Sequence, residues 1–155
     1  MGIFDLFKSS TKNDLLNNVY VRKKDIKGHL NANKRILSEL RKHGVTEDKS
    51  LKIEYFFYTN AKEKADALAE KIKELNYSVL VSSDASDNTL WVITGWTNKI
   101  KISEAELATW TKEMCEIGYY YDCDFDGWGT NVNENCQGVK KRQLILFLTS
   151  IWVCV

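Results

Sequence analysis

The sequence predicts an α+β fold, because stretches of alternating apolar residues are interleaved with stretches of helical periodicity. The predicted order is one helix, then strand, helix, strand, strand, helix and strand. The chain has 155 residues, of which 44% are apolar and 12% aromatic, enough to build the core of one domain. It has no proline and only eight glycines, so no flexible linker divides it.

The first predicted helix covers about residues 31–43. Asn31 is its candidate N-cap, and Gly44 is placed to end it in a left-handed conformation. Its apolar stripe consists of Ile36, Leu37 and Leu40. Residues 13–30 are polar and basic without a stable period, so they receive no assignment.

The next predicted strand is residues 51–58, where alternate positions are apolar or aromatic. The alternating set is Leu51, Ile53, Tyr55 and Phe57. Asn60 and Glu63 then resemble a capping box that opens a helix to about Leu75.

Two further strands are predicted, over residues 77–83 and 89–96. Ser103 and Glu106 form a second capping box, and Gly118 is the predicted end of its helix. Residues 119–125 are then predicted to be extended. This βαββαβ order matches the split-βαβ, ferredoxin-like arrangement, with the N-terminal helix as an addition.

Charge is segregated along the chain and suggests what the domain binds. Residues 1–50 carry eleven Lys or Arg against six Asp or Glu, residues 51–135 carry eight against fifteen, and residues 136–155 add three basic residues. An acidic body repels phosphate backbones and suits a basic partner segment. The sequence therefore argues against direct nucleic-acid binding by the body and favours a protein partner.

The spacing of the four cysteines, with no visible signal peptide, favours reduced thiols and a cytoplasmic location. They are Cys115, Cys123, Cys136 and Cys154. None forms a C-x-x-C pair, and no signal peptide is visible. A Cys123–Cys136 disulfide is an alternative that the spacing allows.

The most unusual segment is residues 124–130, in which a tryptophan stands between two glycines after a carboxylate. Glycine permits positive φ or close backbone approach, so Trp128 can be placed where an ordinary turn would not put it. Two interpretations of Trp128 stay open: an anchor of the core, or a partly exposed anchor of an interface. Asp126 either caps a turn or offers its charge to a basic partner.

Three features of the chain resemble the ribonuclease E inhibitor B (RraB) family of RNase E regulators. The first is the helix over residues 33–44 that runs into an alternating strand, and the second is residues 73–77 before a valine-rich strand. In the second, Asn76 stands where the family tends to have glycine. The third is residues 125–130, Phe-Asp-Gly-Trp-Gly-Thr, which is similar to the family's Tyr-Asp-Gly-Trp-Gly-Thr signature.

The resemblance implies a non-enzymatic regulator that binds a protein, RNase E or a related nuclease complex. It predicts an N-terminal extension over residues 1–30, an RraB-like domain over residues 31–132 and a basic and apolar tail over residues 133–155. The predicted partner-contact residues are Asp122, Asp124, Asp126, Gly127, Trp128 and Gly129. No cofactor, metal or small-molecule substrate is expected.

Two alternatives start from other groups of residues. Asp122, Asp124 and Asp126 followed by Gly127 look like the opening of an EF-hand calcium loop, but Asn133 stands where the bidentate glutamate is needed. On a strand the three aspartates would share one face. Basic termini on a ferredoxin-like domain also allow an RNA-binding module.

Exposed sheet aromatics would support that RNA-binding alternative. The aromatics in question are Phe56, Tyr58, Trp91 and Trp96. Core or helix-covered positions are the preferred interpretation of all four.

Catalytic chemistry finds little support in the sequence. Hydrolase chemistry would need a nucleophile with a histidine and an orienting acid, and the two histidines, His29 and His43, are predicted to lie in a loop and at a helix end. Residues 144–155 form an apolar run too short to span a bilayer. A strand, a docked segment or weak membrane contact remain open for that run, and residues 1–12 are an amphipathic or loosely docked terminus.

Overall fold

A computed structural model describes residues 12–85 and 89–132 of the chain, with side chains from residue 23 onward. The predictions for residues 1–11 and for the tail at residues 133–155 lie outside these ranges. The elements are α1 (Lys12–Lys42), β1 (Ser50–Leu51), β2 (Ile53–Thr59), α2 (Lys62–Glu74), β3 (Leu80–Ser83), β4 (Trp91–Trp96), β5 (Ile100–Lys101), α3 (Glu104–Tyr120) and β6 (Asp124–Thr130).

The predicted α+β class is confirmed. Four strands form an antiparallel sheet in the order β3-β4-β2-β6, and β1 pairs with β5 in a separate antiparallel ladder. The buried residues of all three helices join one core cluster with β2 and β4, so the helices lie on one side of the four-stranded sheet. α1 packs along α3.

Strand β2 shows the alternation that predicted it. Its buried positions are Ile53, Tyr55, Phe57 and Thr59, and the positions between them are half-buried. The predicted single strand over residues 51–58 is divided, because Leu51 belongs to β1 and pairs with Ile100 while β2 pairs with β4 and β6.

Helix α2 buries an apolar stripe but begins differently from the prediction. Its buried residues are Ala65, Leu68, Ala69 and Ile72. Ala61 is the N-cap and makes no side-chain cap, so the Asn60 capping box is wrong. The side-chain Oδ1 of Asn60 instead accepts from the Lys64 ammonium at 3.2 Å. After the helix, Asn76 takes a φ of 59°, a left-handed conformation that glycine adopts without strain.

Helix α3 confirms the second capping box and corrects the predicted end. The Ser103 hydroxyl accepts from the Glu106 N–H at 3.3 Å. Gly118 does not end the helix, which continues to Tyr120, so residues 119–125 are not all extended. Gly118 instead allows close packing, because a Cβ there would lie 2.6 Å from the Cys123 carbonyl oxygen.

Helix α1 begins at Lys12, far before the predicted start, and Asn31 lies exposed in its interior and not at an N-cap. The predicted end is right. The N–H of Val45 bonds to the Leu40 carbonyl and that of Gly44 to the Arg41 carbonyl, with Gly44 at φ 79°. This is a Schellman motif. α1 also runs without a break through residues 30 and 31, and the division there into extension and domain stays a prediction.

Candidate partner-binding surface

The signature segment lies on β6, at one edge of the four-stranded sheet, and contains a β-bulge. Phe125 pairs with Phe57 and Gly127 pairs with Phe56, so Asp126 is an extra residue with no partner position on β2. Gly127 has a φ of 138°, which a side chain would disfavour. The Asp-Gly pair therefore accommodates the inserted residue.

The bulge places Phe125 and Trp128 on the same side of the sheet. In a regular strand, two residues three positions apart point to opposite faces. One inserted residue cancels that alternation, and both side chains enter the core, with 8% and 7% of their surface exposed. The bulge therefore lets one short strand contribute two aromatic rings to the core.

Trp128 connects the sheet to two helices through a buried polar network. Its indole N–H donates to the side-chain Oδ1 of Asn33 on α1 at 2.8 Å. The Asn33 amide donates in turn to the Thr111 hydroxyl of α3 at 2.8 Å. The Trp128 ring also meets the Trp110 ring edge-on, with centroids 6.3 Å apart. Of the two interpretations left open by the sequence, the geometry favours the core anchor.

The acidic residues of the segment are exposed but do not all share one face. Asp124 and Asp126 are exposed on β6. Asp122 precedes the strand in a left-handed turn with a φ of 54°, and its carboxylate pairs with the Lys64 ammonium of α2. The prediction that the three aspartates line one strand face is therefore wrong for Asp122. Among residues 23–85 and 89–132, no group of three or more His, Cys, Asp or Glu is arranged to hold a metal ion.

The sheet side away from the helices carries aromatic and aliphatic residues, and the aromatic ones among them were predicted to be in the core or covered by helices. On β2, Phe56 and Tyr58 alternate with the buried Tyr55 and Phe57 and so point the other way. This side, which we call the open face, carries the apolar and aromatic residues Phe56, Tyr58, Leu80, Val92 and Trp96 together with the polar residues Glu54, Ser82, Thr94 and Asp124. Core or helix-covered positions are thus wrong for three of the four sheet aromatics.

Trp91 is the exception among the four aromatics. It pairs with the buried Thr59 and so lies on the helix side of the sheet. The Lys62 ammonium sits 5.6 Å from its ring centroid.

A family model described as Regulator of ribonuclease activity B (RraB) matches residues 30–130. The chain belongs to the RraB family. The family match confirms the resemblance carried by the signature and by the helices around it. It ends at Thr130, the last residue of β6, and so spans the four-stranded sheet and α3. No curated protein matches the chain.

In this RraB-family chain, nearby carboxylates act on two side chains close to β6, those of Tyr58 and His29. Burial raises the pKa of Tyr58, and the negative charges of Asp126 and Asp84 raise it further. Burial lowers the pKa of His29, against the opposing effects of Asp126, Asp25 and a hydrogen bond with the Phe125 backbone. The His29 ring lies on α1, with its centroid 5.0 Å from that of Phe125. Asp126 thus lies close to both the open face and the α1 contact.

The His29 contact predicts how stability depends on pH. Because the folded-state pKa is lowered from 6.5, the unfolded chain binds more protons just below that pH. Stability should therefore fall as the pH drops through this window. We expect urea unfolding at about pH 7.5 and about pH 5.5 to show this fall, and His29→Gln to reduce it. His43→Gln, at the exposed end of α1, is the control; an equal reduction by it would contradict the assignment.

The two described cysteines are free and buried. Burial raises the pKa of the Cys115 thiol to about 12 and also raises that of Cys123. Cys136, the other half of the disulfide alternative, lies outside the described residues. No helix in the described part of the chain has the length and apolar character to cross a membrane.

The open face could have been recognised from the sequence. Strict alternation on β2 assigns Phe56 and Tyr58 to the side opposite Ile53, Tyr55 and Phe57. Glu54 shares the side of Phe56 and Tyr58, so the more polar half of the strand marks the side that the helices leave uncovered.

Proposed function

We propose that this chain is a non-enzymatic, cytoplasmic regulator that binds a ribonuclease as a protein partner, and that the ribonuclease is RNase E. The family match over residues 30–130 carries this proposal, because the family is described as a regulator of ribonuclease activity. The choice of RNase E comes from the resemblance of residues 125–130 to the family signature.

We further propose that the domain has the ferredoxin-like arrangement, with α1 as an addition to it. Two features support this: the elements β2, α2, β3, β4, α3 and β6 follow one another in βαββαβ order, and the sheet is antiparallel with the order β3-β4-β2-β6. Such an arrangement leaves one sheet side free of helices.

The proposed contact segment extends from Asp122 to Gly129, and its members have different roles. Asp124 and Asp126 offer exposed negative charge, and Gly127 has open space where a side chain would stand. Trp128 supports them from inside, because it fixes β6 against α1. Residues 51–135, with their excess of carboxylates, suit a basic segment of the ribonuclease.

Calorimetric titration of the full chain into purified RNase E from the same organism tests the proposal. We expect saturable binding that survives nuclease treatment of both samples, and a changed rate of RNA cleavage by the enzyme. A monomeric ribonuclease of unrelated fold is the control and should not bind.

The RNA-binding alternative predicts the opposite pattern. Filter binding with RNA would then show an affinity that falls steeply with salt, and calorimetry would show no complex with RNase E. That combination would overturn the proposed function.

A further inference from the structure

We propose that the open face is the docking surface for a segment of the partner ribonuclease that carries aliphatic side chains and lysine or arginine. This inference rests on the proposed function, since it names the chemistry of the partner segment. It also extends the contact surface from β6 across β2, β4 and β3.

The register of the sheet makes the open face continuous. Leu80 of β3 pairs with Thr94 of β4, which pairs with Phe56 of β2, which pairs with Gly127 of β6. The adjacent row is Ser82, Val92, Tyr58 and Asp124. Apolar side chains from three neighbouring strands therefore lie side by side, which distinguishes this surface from scattered exposed residues.

Exposure on this face is greatest at its β3 and β4 side. Leu80 has 54% of its surface exposed and Trp96 has 36%. Among the described residues, the only other large hydrophobic with comparable exposure is Tyr120, which is 83% exposed at the end of α3. Two of the three most exposed large apolar side chains in the described ranges thus belong to the open face.

Gly127 leaves one flank of Phe56 uncovered. It pairs with Phe56 and is half-buried, and a Cβ there would meet nothing within 4 Å. Gly129, which pairs with Glu54, is buried. The sheet therefore has a shallow trough at Gly127, beside the Phe56 ring, where an aliphatic side chain of the partner can lie.

The negative charge beside the trough favours a partner segment that carries positive charge. Asp124 and Asp126 are exposed at the β6 margin, and the charges of Asp126 and Asp84 both act on Tyr58. At the other end of the strand, Lys52 lies just before β2, and Glu54 lies on the open face opposite Trp96. The end of the face near Tyr58 is therefore acidic, and lysine or arginine on the partner would neutralise it while aliphatic groups cover the rings.

Photo-crosslinking in the full chain locates the occupant. Leu80 is replaced by p-benzoylphenylalanine, and the protein is irradiated with purified RNase E and analysed by mass spectrometry. The same replacement at Tyr120 is the control. We expect crosslinks from position 80, and not from position 120, to a ribonuclease segment with aliphatic and basic residues. Crosslinks from position 80 to a second copy, to residues 133–155 of the same chain, or to nothing at saturation would overturn the inference.

A peptide titration tests the chemistry without RNase E. A short synthetic peptide of alternating leucine and lysine is titrated into the chain, beside a twin with glutamate for lysine. We expect only the lysine peptide to bind, with affinity reduced about tenfold or more by Leu80→Ser combined with Trp96→Ser. Tyr120→Ser should change the affinity less than about twofold. Equal binding of both peptides, or by the double variant, would overturn the inference.

The two proposals can fail separately. If RNase E binds in calorimetry but the Leu80→Ser, Trp96→Ser variant binds it equally well, the docking surface is wrong and the function stands. If RNase E does not bind at all, the proposed function fails, and the peptide titration still decides whether the open face takes a basic aliphatic segment.

Discussion

Replacing Trp128 with alanine should lower the free energy of unfolding by about 3–5 kcal/mol, the usual cost of removing a buried aromatic ring. The change would leave a cavity beside Trp110 and remove the indole N–H that Asn33 accepts at 2.8 Å. Because Asn33 also donates to Thr111, the loss should loosen the contact between α1 and α3. Urea unfolding followed by circular dichroism measures the effect.

Trp128→Phe separates the packing from the hydrogen bond. Phenylalanine keeps a ring in the core but leaves the side-chain Oδ1 of Asn33 without its donor, which should cost about 1–3 kcal/mol. A loss below about 1 kcal/mol for Trp128→Ala would mean that Trp128 is not a core anchor, and the interface interpretation would then be preferred.

Gly95→Ala should destabilise the domain by about 3 kcal/mol or more, at the upper end for an overpacked core. A Cβ at Gly95 would lie 1.8 Å from the Ser78 carbonyl oxygen and 2.7 Å from the Tyr55 hydroxyl oxygen. Moving these atoms apart would disturb the hydrogen bonds that hold them in place. Tyr55 donates to that carbonyl at 2.6 Å, and the Ser78 N–H donates to the Trp96 carbonyl at 3.0 Å.

Gly28→Ala is the matched control for this prediction. Gly28 lies in α1, and a Cβ there would meet nothing within 4 Å. Alanine should therefore stabilise the helix by roughly 0.5–1 kcal/mol, because glycine is a poor helix former. Urea midpoints of the two variants should move in opposite directions. A Gly95→Ala protein as stable as the parent would contradict the packing of β4 against residues 77–79.

Short-range patterns in the sequence predicted most of the helices and strands. Alternation over residues 51–58 identified the central strand, and helical periodicity identified α2 and α3. Ser103 was recognised as a cap because its hydroxyl acts on a residue three positions away. Such signals are contained in short segments, so no knowledge of the tertiary structure was needed.

The errors occurred where distant contacts decide the structure. Gly118 looked like a helix stop, yet its role is set by Cys123 and Phe57, which approach the helix at that point. Within the described residues, α1 is helical from Lys12 although its first part is polar. Helix length of this kind depends on what the helix packs against more than on propensity.

The candidate site was located by its unusual residues, but its geometry could not be predicted. The signature segment stood out because of its glycines and Trp128. A bulge depends on the pairing partner, however, so the sequence could not show that Asp126 would be inserted opposite β2. For the same reason, it could not separate the inward Phe125 and Trp128 from the outward acidic residues.

The most direct test of the account is the cleavage of one RNA substrate by purified RNase E in the presence of increasing amounts of this chain. The Asp124→Asn, Asp126→Asn double variant should need about tenfold more protein for the same effect, with an unchanged urea midpoint, because both side chains are exposed. The Tyr120→Ser variant should act like the parent. A double variant as potent as the parent, or a parent chain with no effect on cleavage, would contradict the account.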